Sequence, residues 1–233
     1  MTIITVKIAE IRQETPTVRA LKIDLQGQEF NYKSGQWIDC YADIEGKREI
    51  VGYSLASSPY SSKEFIELAI KISDNIVTKF IHEEAIAGDI LYIEGGQGDI
   101  YYEKGMGEKI VLAAAGIGIA PIMGILRYID EATTAKVTLF QSAPTFNELI
   151  YYDEIKRLAE SNPRIKYYPR ITREEPSEGV DRGRITGDLF DKHDVDWDSL
   201  FYLSGPGEMI PDLKSYLVSR GVDEWKIKYE VWW

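Results

Sequence analysis

The sequence predicts two domains, an antiparallel β-barrel over residues 1–102 followed by a doubly wound parallel α/β sheet over residues 103–233. Three observations predict this. Through the first half, apolar and polar residues alternate in short runs, the period of half-buried strands. In the second half, continuous apolar runs alternate with segments of helical spacing, the pattern of β-α units. Between them lies Tyr102-Glu103-Lys104-Gly105-Met106-Gly107, a polar, glycine-containing stretch that reads as a linker.

Taken in order, Ile4, Val6 and Ile8 alternate with Thr5 and Lys7, and Leu21, Ile23 and Leu25 alternate with Lys22 and Asp24. Ile66, Leu68, Ile70 and Ile72 alternate with Glu67, Ala69 and Lys71. Further strands are expected over 37–44, 53–57 and 90–94, with turns at Glu45-Gly46-Lys47 and Ala87-Gly88-Asp89 and one short helix over 77–84. Short strands with one apolar face favour closure into a barrel. The second half reads strand 110–115, helix 120–130, strand 137–142 and helix 148–161, the last with Leu149, Tyr152, Ile155 and Leu158 at helical spacing. Strands over 165–171 and 201–204, a helix over 209–219 and a strand over 227–231 complete the series. Such alternation implies a parallel sheet covered on both faces.

Composition narrows the chemistry. Cys40 is the single cysteine, so this chain supplies neither an internal disulfide nor four thiolates for an iron–sulfur cluster. Two histidines, His82 and His193, leave few donors for a metal site. A net charge of −11 argues against nucleic acid, which calls for a basic stripe; solubility accounts for it. No stretch approaches the roughly 18 apolar residues of a membrane helix. The start, Met1-Thr2-Ile3-Ile4-Thr5-Val6-Lys7, has no basic leader and reads directly as a strand, so a cytoplasmic location is expected.

Two motifs carry the chemistry. Gly52-Tyr53-Ser54-Leu55-Ala56-Ser57-Ser58-Pro59 offers aromatic, hydroxyl and backbone groups to a flat, phosphorylated ligand. Gly116-Ile117-Gly118-Ile119-Ala120-Pro121 follows an apolar strand, where glycines permit close approach of a pyrophosphate to a helix start and Pro121 suits a first helical turn. Such a turn equally serves close packing. Ser204-Gly205-Pro206-Gly207-Glu208-Met209 is a second strand-to-helix turn at the same sheet edge, or a simple cap. Asn75-Ile76-Val77-Thr78 precedes the short helix and fits either a phosphate or an ordinary cap, and a strand tyrosine such as Tyr53 is equally a packing partner. Tyr229-Glu230-Val231-Trp232-Trp233 ends on two indoles that either close a core or cover a flat cofactor. Two nucleotide sites in one chain point to electron transfer between two cofactors. The acidic residue expected for a ribose after the second parallel strand is absent, with Gln141-Ser142-Ala143-Pro144 in its place.

The order of these motifs resembles the ferredoxin–NAD(P)H reductase superfamily over essentially the whole chain, most like its oxidoreductase NAD-binding domain-containing group through Val51-Gly52-Tyr53-Ser54 and the Glu-x-Trp-Trp ending. Ser34-Gly35-Gln36-Trp37 resembles the barrel strand before the flavin motif. The resemblance implies that Tyr53, Ser54, Leu55 and Ala56 contact FAD (FMN is an alternative), that Asn75, Ile76, Val77 and Thr78 cap its diphosphate, and that Trp232 and Trp233 cover its ring. It implies that Gly116, Ile117, Gly118 and Pro121 take NADH or NADPH, with Gly205, Pro206 and Met209 beside the nicotinamide. Ser54, Ser204, Glu230 and Trp233 then stand at the reacting centre.

Three positions depart from the family pattern. Val51 replaces an arginine that pairs with the flavin phosphate, leaving Arg48 or Lys71 to substitute or the flavin less tightly bound. Ser204 stands where cysteine is common, and Ala115 replaces the first loop glycine. The expected activity is NAD(P)H oxidation through bound FAD. The acceptor is a separate protein, ferredoxin-like or an oxygenase component, or a small molecule. A reductase of free flavin or quinone and a non-catalytic flavoprotein subunit of a larger complex are the alternatives. The stretch 142–147 has no arginine for a 2′-phosphate, which favours NADH, although Arg170 or Arg173 lies within reach in sequence.

Overall fold

In the computed structural model, which describes residues 2–232, two six-stranded sheets stand side by side. The first contains Ile4–Thr15 (β1), Val18–Asp24 (β2), Trp37–Ile44 (β3), Lys47–Ser54 (β4), Phe65–Lys71 (β5) and Ile90–Gln97 (β6) in the order β4-β3-β6-β1-β2-β5, every pair antiparallel. A bridge between Leu55 and Leu68 joins the two edge strands and closes the barrel. Its filling is the inward half of the alternation, including Val6, Ile8, Leu21, Ile23, Ile38 and Leu68. Ile76–Glu83 (α1) covers one end, capped by Asn75.

The second sheet is parallel throughout: Lys109–Ala115 (β7), Lys136–Ala143 (β8), Ile165–Ile171 (β9), Asp181–Arg182 (β10), Leu200–Pro206 (β11) and Ile227–Trp232 (β12), in the order β10-β9-β8-β7-β11-β12. Helices Ile119–Ala132 (α2), Tyr152–Ser161 (α3), Gly187–Lys192 (α4) and Met209–Ser219 (α5) connect them. Residues 110–114 of β7 are buried on both faces, as a central parallel strand demands. The chain leaves β7 toward β8 on one side and returns to β11 on the other. The carboxyl ends of β7 and β11 therefore flank the switch point where ligands collect.

Four expectations need correction. The strand expected over 53–57 is the end of a longer one: Gly46 (φ 79°) turns the chain so that β4 starts at Lys47. The helix expected from 148 starts at Tyr152. Glu148 instead bonds Thr17 (2.6 Å), and Tyr151, in the left-handed region at φ 60°, donates its hydroxyl to Glu67 (2.8 Å). Tertiary bonds here override helical spacing. The expected linker is pinned at its start, because Tyr102 is buried, its N–H bonds Ser34 O (3.0 Å) and its hydroxyl bonds Gly107 O (2.8 Å). Finally, β10 and α4 carried too little apolar periodicity to be anticipated. One apolar cluster crosses between the sheets, joining Val18, Ala56 and Ala69 to Ile119, Ile122 and Met123.

Candidate active site

The flavin-motif strand ends at the interface. Tyr53 is turned into the barrel core, and its hydroxyl shares a 2.8 Å hydrogen bond with Thr78 Oγ1; burial pushes the phenol far above its ordinary range. Ser54 pairs in register with Trp37, and its Oγ is buried without a hydrogen-bond partner. Leu55 N–H bonds Gln36 O (2.9 Å) and Ala56 N–H bonds Glu67 O (2.8 Å), which fixes the backbone beyond Ser54.

Asn75 acts first as a cap: its Oδ1 accepts from Val77 N (2.9 Å) and Thr78 N (3.3 Å). With Thr78 Oγ1 bonded to Tyr53, these groups all have partners in the protein, while Ile76 is exposed. Arg48, one of the two substitutes the sequence offers for the missing arginine, is engaged within the barrel sheet. Its guanidinium forks onto Asp43 (2.9 Å to each oxygen) and lies 3.7 Å from the Tyr92 ring centroid. It also sits six residues up β4 from Ser54, about 20 Å away in an extended strand. Val51 is half-buried against the barrel core, and Lys71 is exposed at the end of β5. Arg48→Ala is accordingly expected to leave flavin affinity unchanged in a fluorescence-quenching titration. A loss of about tenfold contradicts this placement.

At the switch point, Ala115 leads into a turn of 3-10 helix over Gly116–Gly118 and then α2. Gly116 has φ 55°, a conformation glycine adopts without strain. Gly118 lies so close to β11 that a Cβ there would fall 2.3 Å from Ser204 O. Across the same gap, a Cβ on Gly205 would meet Met209 Cε at 2.8 Å and Ala115 Cβ at 3.1 Å. The methyl of Ala115 is thus accommodated by the glycine opposite it. Pro121 is buried in the first turn of α2, where no N–H is needed. The two Gly-containing turns read from the sequence meet as one structure.

Next to them, β12 places Glu230 in register with Ser204 and Trp232 with Pro206. Trp232 Nε1–H donates to Ser204 Oγ (3.2 Å). Glu230 Oε2 is buried without a partner, and burial raises the carboxyl to about 7. Trp233 lies outside the described residues. Three buried side-chain atoms among the described residues lack partners: Ser54 Oγ, Glu230 Oε2 and His193 Nε2. The histidine stacks 3.9 Å from Tyr168 at the end of α4. The other two are the hydroxyl and the carboxylate read as reacting-centre residues.

Helix α2 brings these parts together. Six residues after Gly118, about 9 Å along a helix, Gly124 packs so that a Cβ would lie 2.6 Å from Leu55 O and 3.2 Å from Ser57 O. One turn further, Arg127 Nη1 donates to Ala56 O (2.8 Å) and to Glu67 Oε1 (2.8 Å). Its Nε and Nη2 fork onto Glu154 (2.7 Å each). This network escaped the sequence reading because its members are far apart in the chain, and Arg127 alone reads as a solvated helix face. The arginines near the nucleotide end are divided. Arg170 is buried and committed to Asp181 (3.1 Å) and Gly183 O (3.3 Å). Arg173 is exposed beyond β9.

Residues 5–102 match the family described as Oxidoreductase FAD-binding domain, and residues 112–215 the one described as Oxidoreductase NAD-binding domain. The chain belongs to the ferredoxin–NAD(P)H reductase superfamily. It is 28% identical to Oxidoreductase NAD-binding domain-containing protein 1 of Danio rerio over 254 residues, spanning 100% of this chain and 93% of that protein. The fold superposes on the flavohem-like FAD/NAD-binding domain of a Vibrio cholerae nitric oxide dioxygenase with a TM-score of 0.88, at 24% identity and 98% coverage of both chains. A ferredoxin NADP+ reductase of Neisseria gonorrhoeae with bound FAD and NADP superposes with a TM-score of 0.82, at 20% identity and 99% coverage of both. This superfamily member is an NAD(P)H-dependent flavoprotein oxidoreductase that binds FAD and a nicotinamide nucleotide. The unpartnered Ser54 and Glu230 atoms and the open space beside Gly116, with no atom within 4 Å of its Cβ position, fit those two ligands. Among the described residues, no helix is long and apolar enough to cross a membrane.

Proposed function

We propose that this reductase passes a hydride from NADH to FAD held between its halves, and that electrons leave to a separate acceptor, a ferredoxin-like or oxygenase protein or a small molecule. The observation that carries the reading is the pair of buried, unpartnered groups, Ser54 Oγ at the end of β4 and Glu230 Oε2 on β12 beside Ser204. In this reading residues 1–102 hold the flavin and residues 103–233 the nucleotide. When bound, the flavin supplies the redox chemistry, so no protein nucleophile is needed.

Each residue then has a task. Ser54 faces the flavin, with Tyr53, Leu55 and Ala56 holding its strand in place, and Asn75 to Thr78 with exposed Lys71 lie toward its phosphates. Ser54 donates its free hydroxyl to the ring. Gly116 and Ile117 let the nucleotide approach the start of α2, with Gly118 packing that turn onto β11, Pro121 holding it and Gly205, Pro206 and Met209 shaping the nicotinamide side. Ser204 fixes the Trp232 indole, which excludes water until nicotinamide displaces it. Glu230 holds a proton near neutral pH and hydrogen-bonds toward the reacting atoms. A single buried cysteine suits a reducing cytoplasm.

NADH is preferred because Arg170 is spent within the fold and the 142–147 loop carries no cation of its own, exposed Arg173 being the arginine that borders it. Steady-state oxidation by the FAD-loaded protein is expected to show kcat/KM about tenfold or more higher for NADH than NADPH; equal values overturn the coenzyme assignment. Val51 in the barrel core favours an exchangeable flavin, as in a free-flavin reductase. A protein that emerges from purification colourless, yet oxidises NADH on addition of FAD, identifies that second mode. A tightly yellow protein identifies the first.

A further inference from the structure

We propose that Arg127 is a positioning residue that sets the register of the flavin strand against the nucleotide loop. The proposal rests on the reductase reading for its consequence but on geometry for its substance. Apolar contact between the halves, such as Val18, Ala56 and Ala69 against Ile119 and Ile122, is non-directional and fixes no register. Arg127 supplies direction. Its guanidinium is planar with donors in a rigid fork, and four hydrogen bonds of 2.7–2.8 Å tie it to Glu154, Glu67 and Ala56 O.

Glu67 acts from both its main chain and its side chain. Its carbonyl accepts from Ala56 N–H (2.8 Å) and its N–H donates to Ser57 Oγ (3.0 Å), gripping the chain just beyond Ser54. Its Oε1 accepts from both Arg127 and the buried Tyr151 hydroxyl (2.8 Å each) on the other half. Glu14 accepts from Tyr151 N–H (3.2 Å), and Arg12 stands 3.7 Å from Glu67. Arg127 lies nine residues after Gly118 on α2, so one rigid helix carries the nucleotide turn at its start and the grip on Ala56 beyond its middle.

The consequence is specific. Hydride transfer responds steeply to misplacement, about 10²-fold per 1 Å, whereas the flavin contacts assigned to residues 53–56 and 75–78 lie within one half and do not need the register. Lysine at 127 keeps the charge but cannot fork onto Glu154 while also reaching Ala56 O.

The test places nitroxide labels on Glu10→Cys and Lys156→Cys, both exposed and on opposite halves. Cys40 remains unlabelled because it is fully buried and burial pushes its thiol up to about 12. Pulsed dipolar spectroscopy on the flavin-free protein should give a narrow distance distribution that broadens in Arg127→Lys and further in Arg127→Met. In the flavin-loaded forms, FAD affinity should stay within about threefold while anaerobic bleaching by NADH slows about 10²-fold. If Arg127→Met does not fold, Arg127→Lys and Glu154→Gln carry the same comparison. Unchanged distributions, or unchanged bleaching rates despite broadening, overturn the proposal. Failure of the parent protein itself to bleach overturns the reductase reading instead, and the distributions still judge Arg127.

Discussion

Gly118→Ala is expected to cripple the reductase and to destabilise it by about 2–3 kcal/mol, the upper part of the range for overpacking a core. The added Cβ would lie 2.3 Å from Ser204 O, 2.5 Å from its carbonyl carbon and 2.8 Å from Gly205 N. All three are backbone atoms of β11, so no side chain can swing away. Either α2 moves outward or the end of β11 moves down. Both displacements separate the nucleotide turn from Ser204, Glu230 and Trp232, and a shift near 1 Å costs about 10²-fold in hydride transfer. Gly116→Ala supplies the contrast. No atom lies within 4 Å of its Cβ position, and only its φ of 55° opposes the change, a cost of about 1 kcal/mol. Denaturant melts and single-turnover bleaching distinguish the two. A Gly118→Ala protein as stable and as fast as its parent would show that the turns are not in contact.

Glu230→Gln is expected to remove a pH dependence of stability on the order of 3 kcal/mol from the flavin-free protein. Burial raises the Glu230 carboxyl from 4.5 to about 7 in the folded state. Between those values the folded chain holds a proton that the unfolded chain releases. The stabilising contribution of that proton is therefore complete below about pH 4.5 and is lost as pH rises through 7. Glutamine is neutral at every pH, so the variant should gain on the parent progressively from pH 5 to 8 and then hold a constant lead. Urea unfolding across that range checks the sign. A parallel pH dependence in both proteins would mean that Glu230 is hydrated rather than held dry. With flavin and NADH present, the parent's reduction rate should carry a pH dependence that the variant's lacks.

Much of the architecture was legible because the barrel strands and the parallel strands have different hydrophobic patterns. Trp37–Ile44, Ile165–Ile171 and Met209–Ser219 have the boundaries their apolar spacing predicts. The start of α3 was not, since Tyr151 and Glu148 are held by Glu67 and Thr17 across the interface, and local periodicity holds no record of such partners. The glycine turns were visible as motifs. Their mutual contact depends on β7 and β11 being neighbours, which only topology supplies. Arg48 shows the opposite limit. Proximity in sequence to Tyr53 made it a substitute for the missing arginine, yet its direction along β4 carries it to Asp43 and Tyr92. Arg127 was invisible for a similar reason: a helix arginine declares its charge but not its partners.

The central claim is that two nucleotides meet across one interface and exchange a hydride. Its most direct test is anaerobic mixing of FAD-loaded protein with NADH deuterated at one or the other C4 position, followed at the flavin absorbance. The account predicts complete bleaching that is slowed by deuterium at one of the two positions only. Flavin that stays bound and oxidised in saturating NADH and NADPH would contradict it.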